Sequence, residues 1–120
     1  MKVRCGDAPM AVVRLAEIDA PEKRQPFGQR SRQHLAGLCF QVTANVQPVN
    51  RDRYGRTVAH VECLGTDAGT AQVPAGMAWV FDRYATDRSL YVEQDAARAA
   101  KAGLWSDTEP VAPRDWRKVK

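Results

Sequence analysis

Long apolar runs, paired cysteines and clustered histidines are all missing from this 120-residue sequence. No segment approaches the length of a membrane-spanning helix. The N-terminus carries no charged-then-apolar signal segment, although a signal peptide already removed would leave no trace. The three cysteines, Cys5, Cys39 and Cys63, stand far apart, without the paired spacing of a zinc site. They read as small apolar residues in or near a core. If the protein is exported, one disulfide and a spare thiol are the alternative, and spacing does not choose the pair. The two histidines, His34 and His60, lack a neighbouring partner pattern. Both read as structural or surface residues, not as a catalytic base or a metal pair. With no repeat, low-complexity tract or linker, residues 1–120 are expected to form a single domain.

What is present is ordinary globular composition with a mild basic surplus. Eighteen Lys+Arg against fourteen Asp+Glu give +4, which is compatible with a polyanionic partner without requiring one. Residues 10–18 are β-branched and apolar enough for a strand, and 21–28 are rich in turn formers. A helical pattern follows over 29–38, with Ser31, Leu35 and Leu38 on one face. The stretches QVTANVQPV and RTVAHVEC read as a β-hairpin joined by NRDRYG. In its second strand Thr57, Ala59, Val61 and Cys63 form the expected core face, and Arg56 projects from the other. A short helix is expected within 70–81, limited by Pro74. A longer one is expected over 89–102, with Asp87 or Ser89 as cap and Gly103 as stop. The tail, with two Pro and two Trp, is expected to cover the core edge. The pattern suggests α+β, mainly β: a small barrel capped by helices.

Four polar residues invite a chemical reading. Arg14 lies in an apolar strand, so it is either paired, with Asp19 or Glu17, or waiting for an anion; on pattern alone the salt bridge is favoured. Asp19, at the strand end before Ala-Pro, is a turn residue or a ligand for a hard cation. Glu22, past the Pro-fixed turn, is a solvated acid or a general base. Arg56 follows Gly55 and could join Arg14 in clamping phosphate oxygens, for which the planar fork suits Arg. Tyr54 could stack on a base or sugar. Each signal is weak alone, but together they match metal-assisted phosphodiester hydrolysis.

The strings RLAEIDAPEKRQPFGQ, DRYGR, GMAWVFDRY and AARAAKAGLW, in this order, resemble the staphylococcal nuclease (thermonuclease) family. The resemblance runs from about Val12 to Trp116. It implies a five-stranded OB-fold barrel with three helices and a calcium-dependent nuclease acting on DNA and RNA, single strands preferred, with low sequence specificity. Arg14 and Arg56 would contact the scissile phosphate, and Glu22 would act as general base or order the attacking water. Asp19 and the backbone carbonyl of Ala20 would hold calcium, and Tyr54 and Tyr84 would line the nucleotide site. The family's D-G-D-T-like segment has no counterpart here, and Asp7 is a poor replacement. The first strand and one metal carboxylate are therefore expected to be absent, leaving weak calcium binding, reduced activity and an open barrel edge that invites self-association. A secreted or periplasmic protein fits this family. The alternative is a non-catalytic nucleic-acid- or protein-binding module on the same barrel.

Overall fold

The computed structural model describes residues 1–4 and 11–118. In chain order the elements are β1 (Lys2–Val3), β2 (Ala11–Leu15), β3 (Ile18–Asp19), α1 (Gly28–Cys39), β4 (Ala44–Arg51), β5 (Thr57–Cys63), β6 (Thr66–Asp67), β7 (Trp79–Val80), α2 (Ser89–Ala99) and α3 (Pro113–Lys118). The β4–β5 hairpin is the centre of the main sheet. Its antiparallel register runs from Ala44 opposite Cys63 to Arg51 opposite Thr57, with a shift at Pro48 to Asn50. β5 also pairs in parallel with β2, setting Val13 opposite Thr57 and Leu15 opposite Ala59, and β1 lies antiparallel on β2. The short β6 pairs with β5.

The alternation read in β5 is the reason it sits centrally. Ala59, Val61 and Cys63 are buried together with Val13 and Ala68, and Leu35 and Cys39 of α1 pack against them. Each fully buried Val of this kind contributes about 2 kcal/mol. A second cluster gathers Ile18, Val73, Ala78, Val80 and Leu90. A third, Ala97, Leu104 and Trp105, closes against Trp79, whose ring centroid lies 4.5 Å from that of Trp105. Of the two tail tryptophans, Trp105 is thus core itself.

Several expectations change in detail. The strand expected over 10–18 breaks after Leu15, because Glu17 takes a left-handed conformation (φ 76°) that extended pairing cannot accommodate. The turn diverts β3 out of the main sheet to pair with β7. Among the described residues the path β1-β2-β5-β4 therefore does not close into the expected barrel. In place of the helix expected within 70–81, a 3₁₀ turn forms at Thr70–Gln72, consistent with the block at Pro74, and β7 follows at Trp79–Val80. α2 stops at Ala99 rather than near 102, with Lys101 in the left-handed region just beyond it. Neither Asp87 nor Ser89 is the N-cap: that position is Arg88, without a side-chain cap bond, and Asp87 accepts the Ser89 N–H at 3.0 Å just ahead of the helix. Gly103 serves packing instead of the stop: a Cβ there would come within 2.3 Å of the Gly76 carbonyl oxygen. α3 was not anticipated.

The cysteines are not three inert core residues. Cys39, ending α1, is disulfide-bonded to Cys63, ending β5; Cys5 and Asp7 lie outside the described residues. Both histidines have partners brought by folding. His34 Nδ1 lies 2.5 Å from Gln72 Oε1, and His60 Nδ1 lies 2.8 Å from Asp67 Oδ2 on the neighbouring β6.

Candidate active site

Arg14 leaves β2 half-buried, with its guanidinium 4.6 Å from the centre of the Phe81 ring and Nη2 3.8 Å from Asp19 Oδ1. Both readings of Arg14 thus have support, the ion pair and the anion site. Burial disfavours its charge, Asp19 offsets this, and Arg56 opposes it again; the net effect lowers its pKa from the ordinary value. A desolvated cation beside another cation gains most from an added anion. Asp19 is buried at the end of β3. Burial raises its pKa, although Arg117 and Arg14 pull the other way.

Glu22 is carried by a turn whose own bonds fix it. Its N–H donates to Gln25 Oε1 at 3.0 Å, and its carbonyl accepts from the Gln25 N–H at 2.9 Å. Gln25 is buried and donates from Nε2 to the Val111 carbonyl at 2.5 Å. Gly28, opening α1, lies directly under this turn. A Cβ there would stand 2.0 Å from the Glu22 carbonyl oxygen, a clash with backbone that cannot swing away.

The hairpin turn supplies Tyr54 and Arg56. Asp52 organises it: Oδ1 accepts the Tyr54 and Arg56 N–H groups at 2.9 Å each, and Oδ2 accepts Arg56 Nε at 2.7 Å. That bond uses Nε, so the two Nη groups of Arg56 lie outside it. Slight desolvation works against ionisation of Asp52, but the bonds from Arg56 and Tyr54 outweigh it and hold the carboxyl below its ordinary pKa. Arg56 also lies 5.6 Å from the Tyr54 ring centre.

Tyr84 comes from the segment after β7, and Glu17 holds that segment. The Glu17 carboxylate accepts the Thr86 N–H, the Thr86 hydroxyl and the Asp87 N–H, the two N–H contacts at 3.0 Å. Its carbonyl accepts the Phe81 N–H at 2.9 Å. Phe81 in turn packs edge-on against Tyr84, with centroids 5.2 Å apart.

All seven residues singled out from the sequence, Arg14, Asp19, Ala20, Glu22, Tyr54, Arg56 and Tyr84, line one open cleft of about 1170 Å³. Among its described lining residues eight are Arg or Lys and three are Asp or Glu, so the field favours an anion. Tyr54 and Tyr84 are 74% and 55% exposed, leaving ring faces open to a ligand. Sequence reasoning missed Asp52, Phe81 and Arg117. The first could have been found from its spacing to Arg56 in DRYGR; the other two become neighbours only through tertiary folding.

The donor set accommodates a single cation incompletely. Among the described residues no three His, Cys, Asp or Glu side chains converge. Asp19 and Glu22 do converge, and on a positive group: Arg117 Nη2 lies 3.3 Å from Asp19 Oδ2, and Nη1 lies 3.2 Å from Glu22 Oε1. Of the two, Asp19 is the one placed beside the Ala20 backbone, where a divalent ion would be held. The rest of its six to eight oxygens would come from backbone carbonyl, water and substrate.

A mainly β domain with three helices, its polar site at the strand ends beside a hairpin, belongs to the OB-fold class. Residues 12–107 match the family described as "Staphylococcal nuclease homologue", and the chain belongs to that family. It is 44% identical over 109 residues to a protein of Escherichia coli O157:H7 named "Uncharacterized endonuclease", covering 90% of this chain and 71% of that one. A protein of the same name from Haemophilus influenzae is 42% identical over 106 residues, covering 88% of this chain and 60% of its own length. A "Micrococcal nuclease" of Shigella flexneri is 40% identical over 118 residues, covering 89% and 68%. The chain thus spans well short of the full length of these relatives.

Proposed function

We propose that this domain is a calcium-dependent nuclease that hydrolyses phosphodiester bonds of DNA and RNA without strong sequence preference. The observation that carries this reading is the convergence of Arg14, Arg56, Asp19 and Glu22 in one cationic cleft flanked by exposed tyrosines. Membership of a nuclease family and relatives named endonuclease and micrococcal nuclease support it.

The chemistry follows from the groups. A phosphodiester resists attack because its own charge repels the nucleophile. Arg14 and Arg56 bind the non-bridging oxygens and stabilise the charge gathering on them as the fifth bond to phosphorus forms. Glu22 accepts a proton from the attacking water, so that oxygen bonds to phosphorus as the bond to the leaving oxygen breaks. The leaving oxygen takes its proton from solvent. Asp19 and the Ala20 carbonyl would hold the calcium ion, which supplies Lewis-acid polarisation of the phosphate when bound. Tyr54 and Tyr84 offer ring faces to unpaired bases or sugars, which supports a preference for single strands. None of these groups reads a base edge.

The Cys39–Cys63 bond supports an oxidising compartment, periplasmic or extracellular. Self-association would use the outer edge of β4, where Pro48 and the register shift limit strand pairing. The test of function is incubation of single-stranded DNA and RNA oligonucleotides with calcium or with chelator. Internal cleavage in calcium, abolished by chelator, is expected. Binding of the oligonucleotides with no cleavage in calcium would contradict the proposal and favour a binding module.

A further inference from the structure

Arg117 has no place in the family match, which ends at residue 107. It is nevertheless delivered to the site by a docked element. Pro113 at the start of α3 is fully buried, and Val111 just before it accepts the hydrogen bond from Gln25. From there Arg117 reaches back across the chain and spans the two site carboxylates with separate nitrogens, Nη2 on Asp19 and Nη1 on Glu22. The other Asp19 oxygen faces Arg14 at 3.8 Å. Each oxygen that a divalent ion would take from Asp19 thus already has a guanidinium beside it.

Two features separate this from an ordinary surface ion pair. The bridge joins the two acids that the proposed mechanism needs, not one acid and its neighbour. It is open to exchange on its outer side: the Arg117 side chain is 41% exposed and Glu22 is 40% exposed, while Asp19, on the inner side, is only 10% exposed. The Arg117–Glu22 pair is weak at that exposure. A rotation of this one long side chain would release Glu22 and one Asp19 oxygen, with Arg14 remaining beside the other. Arg114 and Lys118 line the same cleft, so the released guanidinium stays beside a bound polyanion.

We infer that Arg117 is an internal counter-ion that competes with the divalent cation for Asp19 while it also occupies Glu22, so that cation binding requires its displacement. This deepens the nuclease reading and rests on it for the identity of the cation site. The role sets the cation concentration at which the site fills.

The experiment is direct calcium binding by calorimetry, without nucleic acid, on the whole chain and its Arg117→Gln and Arg117→Lys variants. Removing the guanidinium from both carboxylates should tighten calcium binding on the order of tenfold in Arg117→Gln. Arg117→Lys, which keeps the charge but cannot span both acids as a fork, should fall between. Unchanged or weaker affinity in Arg117→Gln would overturn the inference, and so would absence of calcium binding by every protein. Should Arg117→Gln unfold, the unmodified chain decides. Its Arg117 side-chain NMR signal should shift to that of a solvated guanidinium as calcium is added, and an unmoved signal refutes displacement. The two proposals fail separately. Tightened binding with no cleavage sinks the nuclease reading alone, and cleavage with unchanged affinities sinks the counter-ion alone.

Discussion

Replacing Glu17 by Ala tests how the site is held. The carboxylate accepts three hydrogen bonds, from the Thr86 N–H, the Thr86 hydroxyl and the Asp87 N–H. A bond to a charged acceptor contributes at least about 1.5 kcal/mol net, so three amount to roughly 4–5 kcal/mol before correction. Thr86 and Asp87 are exposed, so water restores part of this on mutation. The expected loss is about 3 kcal/mol, which lowers the melting temperature of a chain this long by roughly 10 °C. Glu17→Gly loses the same bonds but relieves the left-handed strain at φ 76°. It should recover about 1 kcal/mol relative to Ala, or roughly 4 °C. Thermal melts followed by circular dichroism read both. If Ala melts within a few degrees of the unmodified chain, the anchor carries little. If Gly is no more stable than Ala, the strain argument is wrong. Activity should fall with stability, because the anchored segment carries Tyr84 and lies next to Phe81, on which Arg14 rests.

Other expectations are shorter to state. Gly28→Ala should displace the Glu22 turn, because its Cβ meets backbone at 2.0 Å; the variant should lose activity and melt lower, and an unaltered melt and rate would refute the crowding. Reducing the Cys39–Cys63 bond, which closes a loop of sequence separation 24, should cost roughly 3 kcal/mol of stability in denaturant titrations. Asp52 has its folded pKa depressed, so its contribution is present above the ordinary carboxylate pKa and is lost as pH falls through the lower folded value. Its carboxyl carbon should titrate by NMR below a free aspartate. An ordinary midpoint would contradict the hydrogen-bonded turn.

Local pattern carried the hairpin and α1 well, because β5 alternates cleanly and Gly28–Cys39 changes period at once. It missed the break after Leu15, since nothing near Glu17 announces a left-handed residue; the carboxylate is fixed by Thr86 and Asp87, about seventy positions on. The pairing of Cys39 with Cys63 was likewise invisible until α1 packed across β5. The site itself was readable because Arg14, Asp19, Ala20 and Glu22 sit in one short string and Tyr54 and Arg56 in another. Arg117 was not, because a six-residue helix in a proline-rich tail has too little length for periodicity, and its two partners lie almost a hundred positions away.

In the proposed nuclease, hydrolysis turns on Glu22 activating water beside the arginine-bound phosphate. Cleavage of single-stranded DNA in calcium by Glu22→Gln, with oligonucleotide affinity measured in parallel, tests it most directly. General-base loss predicts a rate at least ~100-fold lower with binding little changed. A variant that cleaves at the rate of the unmodified chain would contradict it.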